Sequence, residues 1–174
     1  MKIALLMKQN SYSGREYLSS LMMAGIKVDV IFYGKFPVFN KLEDKRCGGL
    51  WNPIKFEKLN TYFNCYYFES LNNKETVLFL KDNNYILGIQ GGVGILNSEI
   101  MECFSAGIIN FHPGDLPSYR GCSAPEWQII EGKPIISTCH ILDKGIDTGP
   151  IYSKKKLDID IDDYHKMRSQ IYPK

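Results

Sequence analysis

The sequence predicts a single α/β domain, built as a three-layer α/β/α sandwich around a mostly parallel sheet. Three observations predict this class. Short apolar runs alternate with helical patterns along the chain. The first strand–helix–strand unit, over residues 2–33, calls for a right-handed crossover onto a parallel neighbour. The length of 174 residues fits one domain over residues 1–174, and no repeat or linker divides it.

Each element has a local signal in the sequence. The strands are short runs of apolar, β-branched or aromatic residues, predicted at 2–7, 28–33, 85–90, 108–112, 135–142 and 151–157, with one more within 62–68. Helical spacing, capping residues and terminal glycines predict helices at 17–25, 73–82, 97–107, 125–132 and 162–171. Residues 34–60 are expected to form a loop with at most one short helix.

Composition narrows the range of functions. The 21 basic and 19 acidic residues leave a formal charge of +2, which argues against a nucleic-acid partner bound through a broad basic field. No apolar run is long enough for a membrane span or a signal peptide, so no membrane partner and a cytoplasmic location are expected. The five cysteines and three histidines show no ligand or disulfide spacing, and we expect no metal.

Three segments carry residues that could do chemistry. The first follows the first strand, where Ser11 and Ser13 lie at the start of a helix. Backbone N–H groups and hydroxyls at such a position suit a phosphate. Serine is also an ordinary helix cap, so both interpretations stay open.

The second segment is the end of the strand at 108–112. Asn110 and His112 point to the same face because a strand alternates, and they lie about 7 Å apart. The carboxyl end of a parallel strand is where open α/β sheets bind ligands. An amide and an imidazole there could hold a carbonyl oxygen and move a proton. The alternative is a buried pair whose hydrogen bonds are satisfied by neighbouring backbone.

The third segment, residues 143–150, holds two aspartates and two glycines between predicted strands. It could be a simple turn. A functional role requires one aspartate to face His112, because a carboxylate beside an imidazole stabilises the imidazolium. His140 and His165 are expected to be structural or solvated.

Together, three motifs resemble the formyltransferase family that uses N10-formyltetrahydrofolate. They read GVGILNSE at 92–99, NFHPGDLPSYRG at 110–121 and LDKGIDTGPI at 142–151. The combined pattern is far more specific than any one piece. The match is strong between residues of about 85 and about 155, whereas the first half agrees only in its β/α order. The resemblance implies a Rossmann-like sheet, the formyltransferase fold.

The resemblance also implies site residues. Asn110, His112 and Asp147 would act together: the Asn110 amide and a His112 N–H would stabilise the oxyanion, and Asp147 would keep His112 charged and order a water. No metal would be required. The backbone of two loops would enclose the pterin of N10-formyltetrahydrofolate, the co-substrate; these residues are Val93, Gly94, Ile95, Leu96, Leu142, Asp143, Lys144, Gly145 and Ile146.

The acceptor amine follows from the branch of the family that the chain resembles most, the sugar N-formyltransferases. It would be a nucleotide-linked amino sugar for surface polysaccharide, with Ser11, Ser13 and Arg15 at the diphosphate and Arg120 at a phosphate or carboxylate. Transfer to tRNA is disfavoured because the charge is nearly neutral and the chain ends after the core. Transfer to glycinamide ribonucleotide is disfavoured because the glycine-rich phosphate loop is missing.

Other functions stay open at this point. The same trio could release formate from the folate with water as the acceptor, or the acceptor could be another small amine. A non-catalytic nucleotide-binding module is the alternative from a different class. Sugar N-formyltransferases normally extend beyond such a core and sometimes carry a dimerising segment, which leaves a homodimer open.

Overall fold

The computed structural model describes residues 1–8, 11–34, 47–50, 58 and 61–174. They fall into two compact units: unit 1 lies within Met1–Glu43 and Asn52–Ile108, and unit 2 lies within Asp44–Trp51 and Ile109–Lys174. The strands are β1 (Ile3–Lys8), β2 (Asp29–Tyr33), β3 (Asn64–Phe68), β4 (Leu87–Gly91), β5 (Ile108–His112), β6 (Ile136–Ile141) and β7 (Ile151–Lys156). The helices are α1 (Tyr12–Met23), α2 (Lys74–Asn83), α3 (Ser98–Met101), α4 (Ala124–Ile130) and α5 (Tyr164–Ile171).

Unit 1 is built on four parallel strands. β1 pairs with β2 on one side and with β4 on the other, and β3 pairs with the outer side of β2. Residues 4–7 of β1 are fully buried, which explains the continuous apolar run of this strand. Helix α1 packs against β1 and β4. Its N-cap is Ser11, whose hydroxyl accepts a hydrogen bond from the N–H of Gly14.

Unit 2 contains three strands that pair antiparallel. β5 pairs with β6, and β6 with β7. The register places His140 opposite Asn110 and Thr138 opposite His112. All residues of β7 are exposed, and its lysines are typical of a strand edge protected from aggregation. The apolar core of this unit includes Ile135, Leu157, Met167 and Ile171.

The predicted α/β class with a mostly parallel sheet is confirmed, and so is most of the element order. Asn73, Asn97 and Asp163 cap three of the predicted helices. Helix α1 begins at Tyr12, five residues before the predicted start, because Ser11 already supplies the cap. Helix α3 spans only four residues. The loop predicted over 34–60 lies largely outside the described residues.

Candidate active site

Two predicted site residues lie on one face at the end of β5. Asn110 is half-buried and His112 is buried, with 5% of its surface exposed. Alternation along the strand places both side chains on the side that also carries Thr138 and His140 of β6. The strand pattern therefore presents an amide and an imidazole side by side, as the sequence predicts.

The His112 ring is held at both nitrogens. Its Nε2 lies 2.6 Å from the backbone oxygen of Tyr119, and its Nδ1 lies 3.5 Å from Asp147 Oδ2. Both partners are acceptors, so a ring with a proton on each nitrogen satisfies both of them. The geometry thus suits an imidazolium next to a carboxylate.

Gly114 lets the following loop pass close to this ring. A Cβ at Gly114 would come within 2.5 Å of both His112 Nε2 and the Tyr119 oxygen, and within 2.7 Å of Ala124 Cβ. No side chain fits there without moving the backbone. The glycine is therefore required by the close approach of the loop to His112.

Asp147 reaches the ring from the loop between β6 and β7. Its backbone is left-handed, with φ of 52°, a conformation in which aspartate and asparagine are enriched. Its Oδ2 accepts a hydrogen bond of 2.8 Å from the Gly121 N–H, and its Oδ1 lies 3.5 Å from His140 Nε2. The sequence left open whether this loop is a simple turn or turns an aspartate toward His112. In the structure, Asp147 faces His112.

The surroundings of Asp147 favour its ionised form. Burial by itself raises the pKa of this carboxyl group. The N–H of Gly121 and the positive charge of a protonated His112 act against burial, and the pKa stays below its ordinary value. Asp147 is therefore a carboxylate at neutral pH.

His140 was missed as a site residue by the sequence interpretation. It is fully buried, and its Nε2 lies 3.2 Å from Asn110 Nδ2 while its Nδ1 lies 3.0 Å from the backbone oxygen of Ile141. It contacts both Asn110 and Asp147. The alternation of β6 would have indicated it, but only with knowledge that β6 pairs antiparallel with β5 in this register.

The two loops predicted to enclose a pterin belong to different units. In unit 1, Val93 and Leu96 are buried, whereas Ile95 is 83% exposed. In unit 2, Asp143 Oδ1 accepts hydrogen bonds from the Gly145 N–H and the Thr148 hydroxyl, which fixes the turn. Leu142 is half-buried, whereas Lys144 and Ile146 are exposed. Each loop presents an exposed isoleucine, and their joint role stays a prediction.

The residues predicted to contact the acceptor are spread over both units. In unit 1, Ser11, Ser13 and Arg15 are buried at the start of α1. The Ser11 hydroxyl accepts the Gly14 N–H at 3.1 Å, which is its capping role, and it donates to the oxygen of Gly91 at 2.5 Å. In unit 2, Arg120 is exposed and lines a cavity of about 620 Å³ together with Trp127. Their contacts with a substrate stay predictions.

Part of the chain is similar in sequence to a known family. Residues 89–171 match the sequence model of the formyl transferase family. The match covers just under half of the 174 residues of the chain. The matched segment contains Asn110, His112, His140 and Asp147, the residues that meet in unit 2.

One curated relative matches part of the chain. A methionyl-tRNA formyltransferase of Thermodesulfovibrio yellowstonii is 40% identical over 77 residues, which is 44% of this chain and 25% of that protein. The matched region therefore spans about a quarter of that relative's length.

Solved structures share the fold. A phosphoribosylglycinamide formyltransferase from Streptococcus pneumoniae matches with a TM-score of 0.69 at 19% identity, over 98% of this chain and 90% of that one. A sugar N-formyltransferase from a Shewanella species matches with a TM-score of 0.60 at 20% identity, over 99% and 65%. At these identities the comparison supports the formyltransferase fold alone.

Within the residues that the structure describes, no group of three or more histidine, cysteine, aspartate or glutamate side chains could hold a metal ion. No helix in the described ranges is both long and apolar enough to cross a bilayer.

Proposed function

We propose that this chain transfers the formyl group of N10-formyltetrahydrofolate to a primary amine. The observation that carries the proposal is the meeting of Asp147 with His112, at 3.5 Å, on the strand face that Asn110 shares. The family of residues 89–171 supports the reaction class. One catalytic domain over residues 1–174 and a cytoplasmic location stay predictions of the sequence.

The reaction needs an oxyanion site and a route for protons. The amine nitrogen attacks the formyl carbon, the carbonyl oxygen becomes an oxyanion, and the bond from carbon to the folate N10 then breaks. The amine loses one proton and N10 gains one, so the reaction is balanced without another reactant. An amide N–H donor lowers the energy of the oxyanion, and a positioned acid–base group moves the proton.

The described contacts suggest how these tasks are divided. The half-buried Asn110 amide would donate to the oxyanion. His112 would supply a proton through Nε2, while Asp147 holds its Nδ1 side. The Nε2–H now donates to the Tyr119 oxygen at 2.6 Å, so this hydrogen bond has to open before Nε2 reaches a substrate. Asp147, as a carboxylate, favours the charged form of the ring.

The two substrates would occupy different surfaces. Ile95 in unit 1 has an exposed apolar side chain, and so does Ile146 in unit 2; each is of the kind that a pterin ring contacts. The exposed guanidinium of Arg120 could bind a phosphate or carboxylate of the acceptor. We propose a nucleotide-linked amino sugar as the acceptor, which assigns a role in polysaccharide biosynthesis, and the fold shared with a sugar N-formyltransferase is compatible with it.

A direct test combines formyl transfer with one variant and its matched control. The wild-type chain is incubated with N10-formyltetrahydrofolate and a panel of amino-sugar nucleotides, and the products are identified by mass. His112→Gln should lower the rate by about 10²–10⁴-fold, the usual contribution of acid–base catalysis. His165→Gln changes an exposed histidine and should leave the rate within about 2-fold.

The same assay separates the alternatives. If formate is released from the folate as fast without an amine as with one, the chain is a hydrolase. Binding of a nucleotide sugar in calorimetry, with no affinity for the folate, indicates the non-catalytic module. If another small amine is formylated instead, formyl transfer is correct and the proposed amino-sugar acceptor is wrong. Unchanged transfer by His112→Gln would exclude the proposed mechanism.

A further inference from the structure

His140 is a fully buried histidine to which the proposed mechanism assigns no step. Its Nδ1 lies 3.0 Å from the backbone oxygen of Ile141. A carbonyl oxygen can only accept, so Nδ1 carries the hydrogen in this contact. In a neutral ring, the other nitrogen, Nε2, is then left as an acceptor.

Two polar groups lie near that acceptor. Asn110 Nδ2 is 3.2 Å from Nε2, at the outer end of the hydrogen-bond range, whereas Asp147 Oδ1 is 3.5 Å away and outside it. Of the two, only the amide has a hydrogen to donate at neutral pH, because Asp147 is ionised. The distances and the donor chemistry therefore both pair His140 with Asn110.

We propose that His140 is a positioning residue that fixes the orientation of the Asn110 side-chain amide. By accepting one N–H of Nδ2, it holds the NH₂ group toward the site and leaves the second N–H to donate. If the amide were turned by half a rotation about the Cβ–Cγ bond of Asn110, its oxygen would face the developing oxyanion and repel it. The catalytic part of this inference rests on the proposed formyl transfer.

Two substitutions at His140 separate this role from simple packing. The oxygen of glutamine reaches roughly the place of Nε2, whereas the amide of asparagine reaches only that of Nδ1. His140→Gln can thus keep the acceptor for Asn110, and His140→Asn loses it. We expect His140→Asn to lower kcat by about 10-fold or more, toward the 10²–10³-fold that follows complete loss of an oxyanion donor, with KM within about 3-fold. His140→Gln should recover most of kcat.

A double-mutant cycle tests whether the effect passes through Asn110. In an Asn110→Ala background, His140→Asn should lower kcat by less than about 2-fold, because no amide is left to orient. Urea unfolding of each variant shows that the comparison is between folded proteins. The proposal would be overturned if His140→Asn lowered kcat equally with and without Asn110. It would also be overturned if His140→Gln and His140→Asn lowered kcat equally.

A spectroscopic measurement tests the orientation without any turnover. In protein labelled with ¹⁵N at histidine and asparagine, His140 at neutral pH should show a protonated Nδ1 and an unprotonated Nε2. The two side-chain amide protons of Asn110 should give separate signals, and His140→Asn should shift the one bound to Nε2. A protonated Nε2 would refute the inference. If the amide is held as proposed but no formyl transfer occurs, the proposed function fails and the positioning contact stands.

Discussion

Asp147→Asn removes the negative charge that lies beside His112 and His140 while keeping the shape of the side chain. The choice of asparagine matters because residue 147 has a φ of 52°. Asparagine adopts this left-handed conformation as readily as aspartate, so the substitution adds no backbone strain. Alanine would add strain and confuse the two effects.

The expected loss of stability follows from one hydrogen bond. Asp147 Oδ2 accepts from the Gly121 N–H at 2.8 Å, and the side chain is only 13% exposed, so solvent screens the contact little. A hydrogen bond to a charged group contributes about 1.5–3 kcal/mol and a neutral one about 0.5–1.5 kcal/mol. Because the asparagine oxygen can still accept, the free energy of unfolding should fall by about 1–2 kcal/mol at pH 7.

The dependence on pH has a definite sign. The folded-state pKa of Asp147 is lowered, so the carboxylate stabilises the fold at pH values above its unfolded pKa of about 3.9. That contribution is lost as the pH falls through the lower, folded value. Asparagine does not titrate. The difference in unfolding free energy between wild type and variant should therefore shrink as the pH falls below about 4.

Urea unfolding followed by circular dichroism at pH 7, 5 and 3.5 measures this difference. Formyl transfer at pH 7 gives the second readout, for which we expect a fall in kcat of about 10²–10⁴-fold, since the imidazole loses the group that favours its charged form. A stability difference that persists unchanged at pH 3.5, with kcat within about 3-fold of wild type, would refute the electrostatic role assigned to Asp147.

Three further substitutions, the first with a matched control, test the surroundings of the site by urea unfolding. Gly114→Ala should lower the free energy of unfolding by about 1–3 kcal/mol and lower activity, because its Cβ would lie 2.5 Å from His112 Nε2. Gly94→Ala is the control: a Cβ there meets open space, so the free energy of unfolding should change by less than about 0.5 kcal/mol. Thr138→Val should lower the free energy of unfolding by about 0.5–1.5 kcal/mol, because it removes the hydrogen bond of 2.6 Å from the buried hydroxyl to the oxygen of Gly114, which still accepts the Leu116 N–H. Lys154→Ala removes an exposed ion pair, and a loss above about 1 kcal/mol would contradict its assignment to the solvated surface.

Local patterns were sufficient to predict most elements. The buried run of β1, the asparagine cap of α2 and the aspartate cap of α5 are set by residues a few positions apart. Strand alternation also placed Asn110 and His112 on one face. The sequence could not show that β6 runs antiparallel to β5, because pairing and register depend on contacts between residues far apart in the chain. Without that register, the sequence predicts only a structural or solvated role for His140.

The amino-acid sequence by itself determined the α/β class, the order of elements and the motif that contains the amide and the imidazole, since each of these depends on spacing along the chain. The tertiary structure decided which way the 143–150 loop faces. A left-handed residue turns the carboxylate of Asp147 inward, where it meets the Gly121 N–H and two histidines from separate strands. Only folding brings these groups together, because their ionisation and hydrogen bonding depend on neighbours that the chain supplies from elsewhere.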